Sequence, residues 1–214
     1  MSSDEEMDEL RDLENLREQI TNEQLKGDRM QVSAWDDDEE GIEETRNAKD
    51  PIQKAVLEAG ENGQLDVMKR YHALDPSVID CADKDGYTPL HRACYGNHTE
   101  VVEFLLKSGA KIDAKTQDEW QPLHSACYWN NVDCASILIQ HGADINAKSK
   151  GDQTPLHLVS ASSHNSSCLQ LLLLHPDINP HIKNSSGDTA YEIAKRNGKY
   201  YPMFEIIDPC LNEV

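Results

Sequence analysis

Basic side chains are scarce in this 214-residue sequence, where twenty Lys and Arg stand against thirty-nine Asp and Glu for a formal charge of −19. Nucleic-acid affinity rests on neutralising phosphates and releasing their counterions, so a chain this acidic is not expected to bind DNA or RNA directly. Long apolar runs are missing as well. No stretch approaches the ~18 consecutive apolar residues of a membrane span. The start, Met1-Ser2-Ser3-Asp4-Glu5-Glu6, has neither the basic nor the apolar region of a secretion signal. The expectation is a nuclear or cytosolic protein with no membrane association.

Motifs that carry chemistry are also lacking. There is no G-x-S-x-G, no phosphate-binding loop, no G-x-G-x-x-G and no H-E-x-x-H. Six cysteines occur (Cys81, Cys94, Cys127, Cys134, Cys168, Cys210) without a C-x-x-C pair. A disulfide framework suits small secreted chains, so reduced thiols are expected. No catalytic residue, metal site or cofactor is predicted.

The acidity is uneven. Residues 1–50 hold eighteen acids against six bases, and the composition shifts at Lys49-Asp50-Pro51. This first segment reads as a largely disordered acidic arm. It carries Leu10, Leu13, Leu16 and Ile20 at roughly helical spacing, then Trp35 against Asp36-Asp37-Asp38-Glu39-Glu40. Acids interleaved with a few large apolar residues suit a segment that folds on a partner, so these five apolar residues are candidate contacts to a second partner. A purely solubilising tail is the alternative reading.

Beyond the arm the sequence repeats itself. Thr88-Pro89-Leu90-His91-Arg92-Ala93-Cys94 returns 33 residues later as Gln121-Pro122-Leu123-His124-Ser125-Ala126-Cys127. It returns again after 33 as Thr154-Pro155-Leu156-His157-Leu158-Val159-Ser160. A fourth copy, Thr189-Ala190-Tyr191-Glu192-Ile193-Ala194, comes 35 residues on, which predicts a longer connection before it. Between copies, Val101 to Leu106 aligns with Cys134 to Ile139, and Ser108-Gly109-Ala110 aligns with His141-Gly142-Ala143. Each unit reads as a short helix, a turn at Asn or Gly, a second apolar helix and a glycine-ended link with a projecting hairpin loop. Threonine caps the first helix, and proline suits its first turn because the N–H it lacks has no partner there anyway.

A 33-residue helix-turn-helix unit with this T-P-L-H motif resembles the ankyrin repeat. The resemblance implies an all-α solenoid, since one unit cannot cover its own apolar face and must stack on others. The expected division is an arm at 1–50, a degenerate capping repeat at 51–83, repeats at 84–116, 117–149 and 150–183, and a capping partial repeat at 184–214. Lys54, Glu58 and Glu61 would give the first cap its polar face, and Phe204, Ile206 and Ile207 would be buried in the last. The blocks around Tyr87, Trp129-Asn130-Asn131 and Gln140 to Ala147 resemble one group within that family. That closer likeness implies an intracellular adaptor associated with transcriptional regulation.

Two H-x-x-C pairs, His91 with Cys94 and His124 with Cys127, suggest a metal or a Cys–His nucleophile. Their placement on successive helices, ~10 Å apart by helix packing distance, argues against a shared zinc. The histidines are instead expected to hydrogen-bond nearby backbone, and the cysteines to fill small core positions.

Aromatics give the stronger signal. They make up only 6% of the chain, yet Tyr87, Tyr95, Trp120, Tyr128 and Trp129 cluster at hairpin tips and first-helix ends, the parts an ankyrin unit turns to its concave side. Tyr and Trp dominate interface hot spots because they bury a large area at little entropic cost. Packing of Tyr95 and Tyr128 between helices is the competing reading, whereas Trp120 on a finger has little core to enter. Asp85, Asp118 and Asp152 are the expected acidic rim. The predicted ligand is a protein with an apolar patch flanked by basic residues, bound by a monomeric, non-enzymatic adaptor. A chaperone-like or inhibitory cap and a thiol redox sensor using Cys94 and Cys127 are the competing functions.

Overall fold

A computed structural model describes residues 51–162, 166–197 and 200–206. Leu10, Leu13, Leu16, Ile20 and Trp35 lie outside the described residues, as do Cys210 and the side chains of Ile206 and Ile207. Among the described residues there are nine α-helices, two short 3-10 segments and no strand beyond a single bridge between Lys183 and Thr189.

The helices form two rows. Helices α1 (Pro51–Glu61), α3 (Pro89–Tyr95), α5 (Pro122–Tyr128), α7 (Pro155–Ala161) and α9 (Ala190–Asn197) pack in series. Behind them run α2 (Leu65–Leu74), α4 (Thr99–Lys107), α6 (Val132–Gln140) and α8 (Ser166–Leu173). A seven-residue helix such as α3 or α5 is far too short to stand alone in water, so burial along the stack is what holds it. Leu90, Leu123 and Leu156 sit at the same point of successive helices and are each 1% exposed. Ala93 and Ala126 beside them are fully buried, as are Cys94 and Cys127, which take the same small-residue role. The 3-10 segment Tyr201–Ile206 closes the far end with Phe204 at 0% exposure.

The T-P-L-H motif works as a two-sided clip. Proline opens α3, α5 and α7. His91 Nδ1 accepts from the Thr88 backbone N–H (3.3 Å), and its Nε2 bonds the Trp120 carbonyl (3.0 Å) in the next repeat. His124 joins Gln121 N (3.1 Å) to the Gln153 carbonyl (3.2 Å), and His157 joins Thr154 N (3.2 Å) to the Asp188 carbonyl (3.2 Å). Because one ring nitrogen faces an N–H and the other a carbonyl, only the neutral Nε2–H tautomer satisfies both. The fourth copy has Glu192 at the histidine position. Its carboxylate accepts from Thr189 N (2.7 Å) and Oγ1 (3.0 Å), which caps the helix without a bridge onward.

The fingers are closed turns that share one hydrogen-bond pattern. Asp83 N bonds Tyr87 O, Thr116 N bonds Trp120 O, Ser149 N bonds Gln153 O and Asn184 N bonds Asp188 O, all within 2.9–3.1 Å. Adjacent tips are tied by Gln117 N to Asp85 O (2.8 Å), Lys150 N to Asp118 O (2.8 Å) and Ser185 N to Gly151 O (2.9 Å). The fingers therefore form a connected rail beside the inner helices. Asn97 (φ 58°) and Asn130 (φ 60°) make the left-handed turn after their helices, a conformation asparagine tolerates better than most side chains.

At the first cap, Lys54 and Glu58 face solvent as expected, while Glu61 is drawn inward by Arg92. Next to it Gly60 touches α3. A Cβ there would stand 2.8 Å from Pro89 O and 3.2 Å from Pro89 Cα, both backbone atoms. Alanine in a helix interior gains about 1 kcal/mol over glycine. Overpacking against rigid backbone costs about 1–3 kcal/mol. Gly60→Ala is thus expected to lower stability despite better helix propensity, read as a lower urea midpoint. A raised midpoint would mean that α1 does not dock on α3 this closely.

Candidate functional site

Three successive repeats line one groove of about 340 Å³, bounded by the finger residues Asp83, Asp85, Tyr87 and Trp120 and by residues at the ends of α1, α3 and α5. Tyr95 and Trp129 form the far side, with Glu61, Arg92 and Ser125 between. The rings make a connected strip. Tyr95 meets Trp129 edge-on at 4.9 Å, Trp129 meets Tyr128 edge-on at 5.3 Å, and Tyr128 lies 5.3 Å from Trp120. Such edge-to-face contacts fix ring orientation without burying the rings, since Tyr95, Tyr128 and Trp129 stay 47%, 46% and 52% exposed.

Backbone contacts hold this strip in place. Asn131 Nδ2 donates to the carbonyls of Cys94 and Tyr95 (2.8 Å each), capping the end of α3 from the next repeat. Trp129 follows α5, where the preceding repeat has Gly96. A Cβ at Gly96 would stand 2.8 Å from the Glu61 carbonyl and closer still to the His98 ring, so only the later repeat has room for a large ring.

Trp120 is half-buried rather than free-standing. It stacks on His124 with centroids 6.3 Å apart, and its carbonyl accepts from both Thr116 N and His91. Because this ring is covered more than that of Trp129 and stacks on His124, removing it is expected to disturb the fold more. Tyr87 is also half-buried, edge-on to His91 at 5.7 Å, with the Arg92 guanidinium 6.0 Å above its ring. Burial raises the Tyr87 phenol above its ordinary range, and the charges of Asp118, Asp83 and Asp85 raise it further.

The acids divide. Asp85 lines the groove, and Asp118 is near enough to act on Tyr87, but Asp152 stands apart. In the repeat register Asp152 matches Gly86 and Glu119, the left-handed finger position, not Asp85 and Asp118. It pairs with Lys148 (3.1 Å) and bonds Ser185 Oγ (3.3 Å) in a separate polar groove with Lys115 and Glu119. Alignment from the fixed T-P pair reveals the one-residue offset, and counting back from it separates Asp152 from the other two.

No repeated motif marks the ionic group that lines the groove. Arg92 bonds Glu61 and, at 2.7 Å, Asp83. Its position is held by Ser125 and Leu158 in the following repeats, so a charge at a half-covered helix position is the signal that could have found it. The ion pairs keep the Arg92 guanidinium protonated against the opposing effect of burial.

The thiols offer little chemistry. Cys94 and Cys127 are completely buried, and their pKa values lie well above the ordinary thiol range, from desolvation at Cys94 and from the hydrogen bond with Cys168 together with desolvation at Cys127. A nucleophilic or redox-sensing cysteine needs the opposite shift and access to solvent. His91 and His124 have both ring nitrogens engaged, which leaves neither H-x-x-C pair a free imidazole donor. Among the described residues no three His, Cys, Asp or Glu side chains are grouped to hold a metal ion, and no helix is long and apolar enough to cross a membrane.

Comparison with known proteins agrees with this architecture. Family models described as ankyrin repeats match residues 56–149 and 138–194. The chain is similar to ankyrin repeat domain-containing protein 49 of Bos taurus, at 52% identity over 171 residues, which is 80% of this chain and 71% of that protein. The Drosophila melanogaster protein of the same name is 52% identical over 82% of each chain, and the Homo sapiens one 48% identical over 80% of this chain and 71% of its own.

Proposed function

The chain belongs to the ankyrin-repeat family, within the group of ankyrin repeat domain-containing protein 49, and from that premise we propose that it is a non-enzymatic adaptor gripping a protein partner on its concave face. The family is a protein-interaction scaffold, and its fold alone specifies no ligand. The observation that carries the reading is the ring strip exposed at Tyr95, Trp129 and Tyr128 and continuing to the half-buried Trp120, held by short hydrogen-bonded elements. Large rings pre-set in position lose little entropy on binding, which is how hot spots gain affinity. Asp85 and Asp118 beside them suit a partner patch with basic flanks and an association that weakens with salt. Nuclear or cytosolic residence as a monomer, with a part in transcriptional regulation, completes the proposal on the strength of the family likeness.

The test is affinity capture followed by mass spectrometry, comparing the intact chain with Trp129→Ala and with Trp120→Ala/Trp129→Ala. Partners bound through this face are expected to lose at least ~2 kcal/mol of affinity in the double variant. Trp129→Ala alone should keep native circular dichroism, because its ring is half exposed. Capture of the same partners at the same affinity by all three proteins would place the interface elsewhere.

A further inference from the structure

We propose that the groove between the first two fingers receives one cationic side chain, an arginine or lysine, from the partner segment that crosses the aromatic strip. The inference rests on the adaptor reading above and deepens it by naming what fills the groove.

Three features of the lining converge on this occupant. Its groups charged at neutral pH are three carboxylates (Glu61, Asp83, Asp85) and one guanidinium, Arg92, beside the neutral His91 and Tyr87. Arg92 is bonded by Glu61 and Asp83, while Asp85 has no cationic partner among the described residues. A guanidinium over an aromatic ring is already part of the wall, since Arg92 sits 6.0 Å above Tyr87, and the exposed faces of Tyr95 and Trp129 can serve a second cation in the same way. The third feature is Ser125. It is 3% exposed, lines the groove, and its hydroxyl has no hydrogen-bond partner.

Each class of occupant fares differently. An apolar side chain would cover the rings but leave the Ser125 hydroxyl unpaired and strip water from Asp85 with nothing in return. An acidic one would face like charge. A long basic side chain can lay its methylene stem on Tyr95 and Trp129, place its charge beside Asp85 and donate to Ser125 Oγ. The buried Arg92 Nε–H, on a residue of the same lining, also lacks an acceptor.

The experiment uses the full chain carrying Trp35→Phe, so that Trp120 and Trp129 are its only indoles. Blocked tripeptides Gly-Arg-Gly, Gly-Lys-Gly and Gly-norleucine-Gly are titrated while the two indole N–H resonances are followed by NMR. Saturable shifts with the arginine or lysine peptide, and at least ~5-fold weaker binding of the norleucine peptide, are expected, on the order of one exposed charge interaction. The ratio between the arginine and lysine arms identifies which cation the groove takes. Asp85→Asn should remove most of that discrimination with its fold intact, and Ser125→Ala should weaken the cationic peptides without affecting norleucine. Equal binding of all three peptides, or no saturable shift from either cationic one, would overturn the proposal. If partner capture still depends on Trp120 and Trp129 in that case, only the cation site has failed. If capture is indifferent to both tryptophans, the adaptor face itself is misplaced.

Discussion

Lowering the pH from 7 to 5 is expected to strip roughly 4 kcal/mol of folding stability from this chain at constant ionic strength, through His91 and His124. Burial moves both imidazoles from an ordinary 6.5 to about 4 in the folded protein, and His157 is shifted in the same direction. The sign follows from proton counting. Well above pH 6.5 neither state binds a proton at these sites, and stability is at its full value. Between 6.5 and 4 the unfolded chain takes up protons that the folded one refuses, so stability falls with pH at about 1.4 kcal/mol per unit for each histidine. Over the 1.5 units from 6.5 to 5 that is about 2 kcal/mol each, a large part of the ~5–15 kcal/mol typical of a domain. Protonation also relieves acidic self-repulsion in this −19 chain, but exposed charges are screened beyond ~8 Å at physiological salt. The buried histidines therefore decide the outcome. Denaturant titrations at pH 7, 6 and 5 should show the loss, and His124→Gln should flatten the slope by about one proton. A stability independent of pH over that range would mean that the folded histidines titrate normally.

The same bonds explain how much could be read from sequence. Thr88-Pro89-Leu90-His91 and its copies exposed the repeat because one job, capping a helix and tying it to the next finger, recurs at a fixed spacing. A periodic structure repeats its constraints, and so its residues. The aromatic strip was legible for a related reason: Tyr95 and Tyr128 occupy equal positions in consecutive units, so their side-by-side placement follows from the 33-residue step. Arg92 and Ser125 were not legible, because each occurs once at a position that otherwise carries Leu158 or Ile193. Part of what Arg92 does comes from a neighbour 31 residues away, Glu61, which no local pattern brings to it. Asp152 misled for the converse reason. It looks like another finger acid, but residue type is a poor guide in a turn, where a one-residue offset changes the face a side chain points from.

Truncating Leu123 to Ala is expected to cost about 2–5 kcal/mol, as for other buried leucines, and to disrupt the aromatic groove along with the fold around it. Leu123 is 1% exposed in α5, which packs against α3 on one side and α7 on the other. Each unit of a solenoid is held only by its neighbours, so loosening a central unit weakens both halves. That unit also carries Ser125, Tyr128 and Trp129, and His124 of α5 supports Trp120. Phe204→Ala is the counterpart at the end of the array. Phe204 is fully buried and larger than Leu123, so its cavity is no smaller, yet it closes only the terminal unit beside Tyr191. In a Trp35→Phe background the indole fluorescence reports on the groove alone. Leu123→Ala should shift the denaturation midpoint of that signal strongly. Phe204→Ala should lose helical circular dichroism early while the indole signal keeps a midpoint near that of the parent. Equal displacement of the indole midpoint by both variants would mean that the stack melts as one unit, its end unable to loosen while the groove at its centre stays formed.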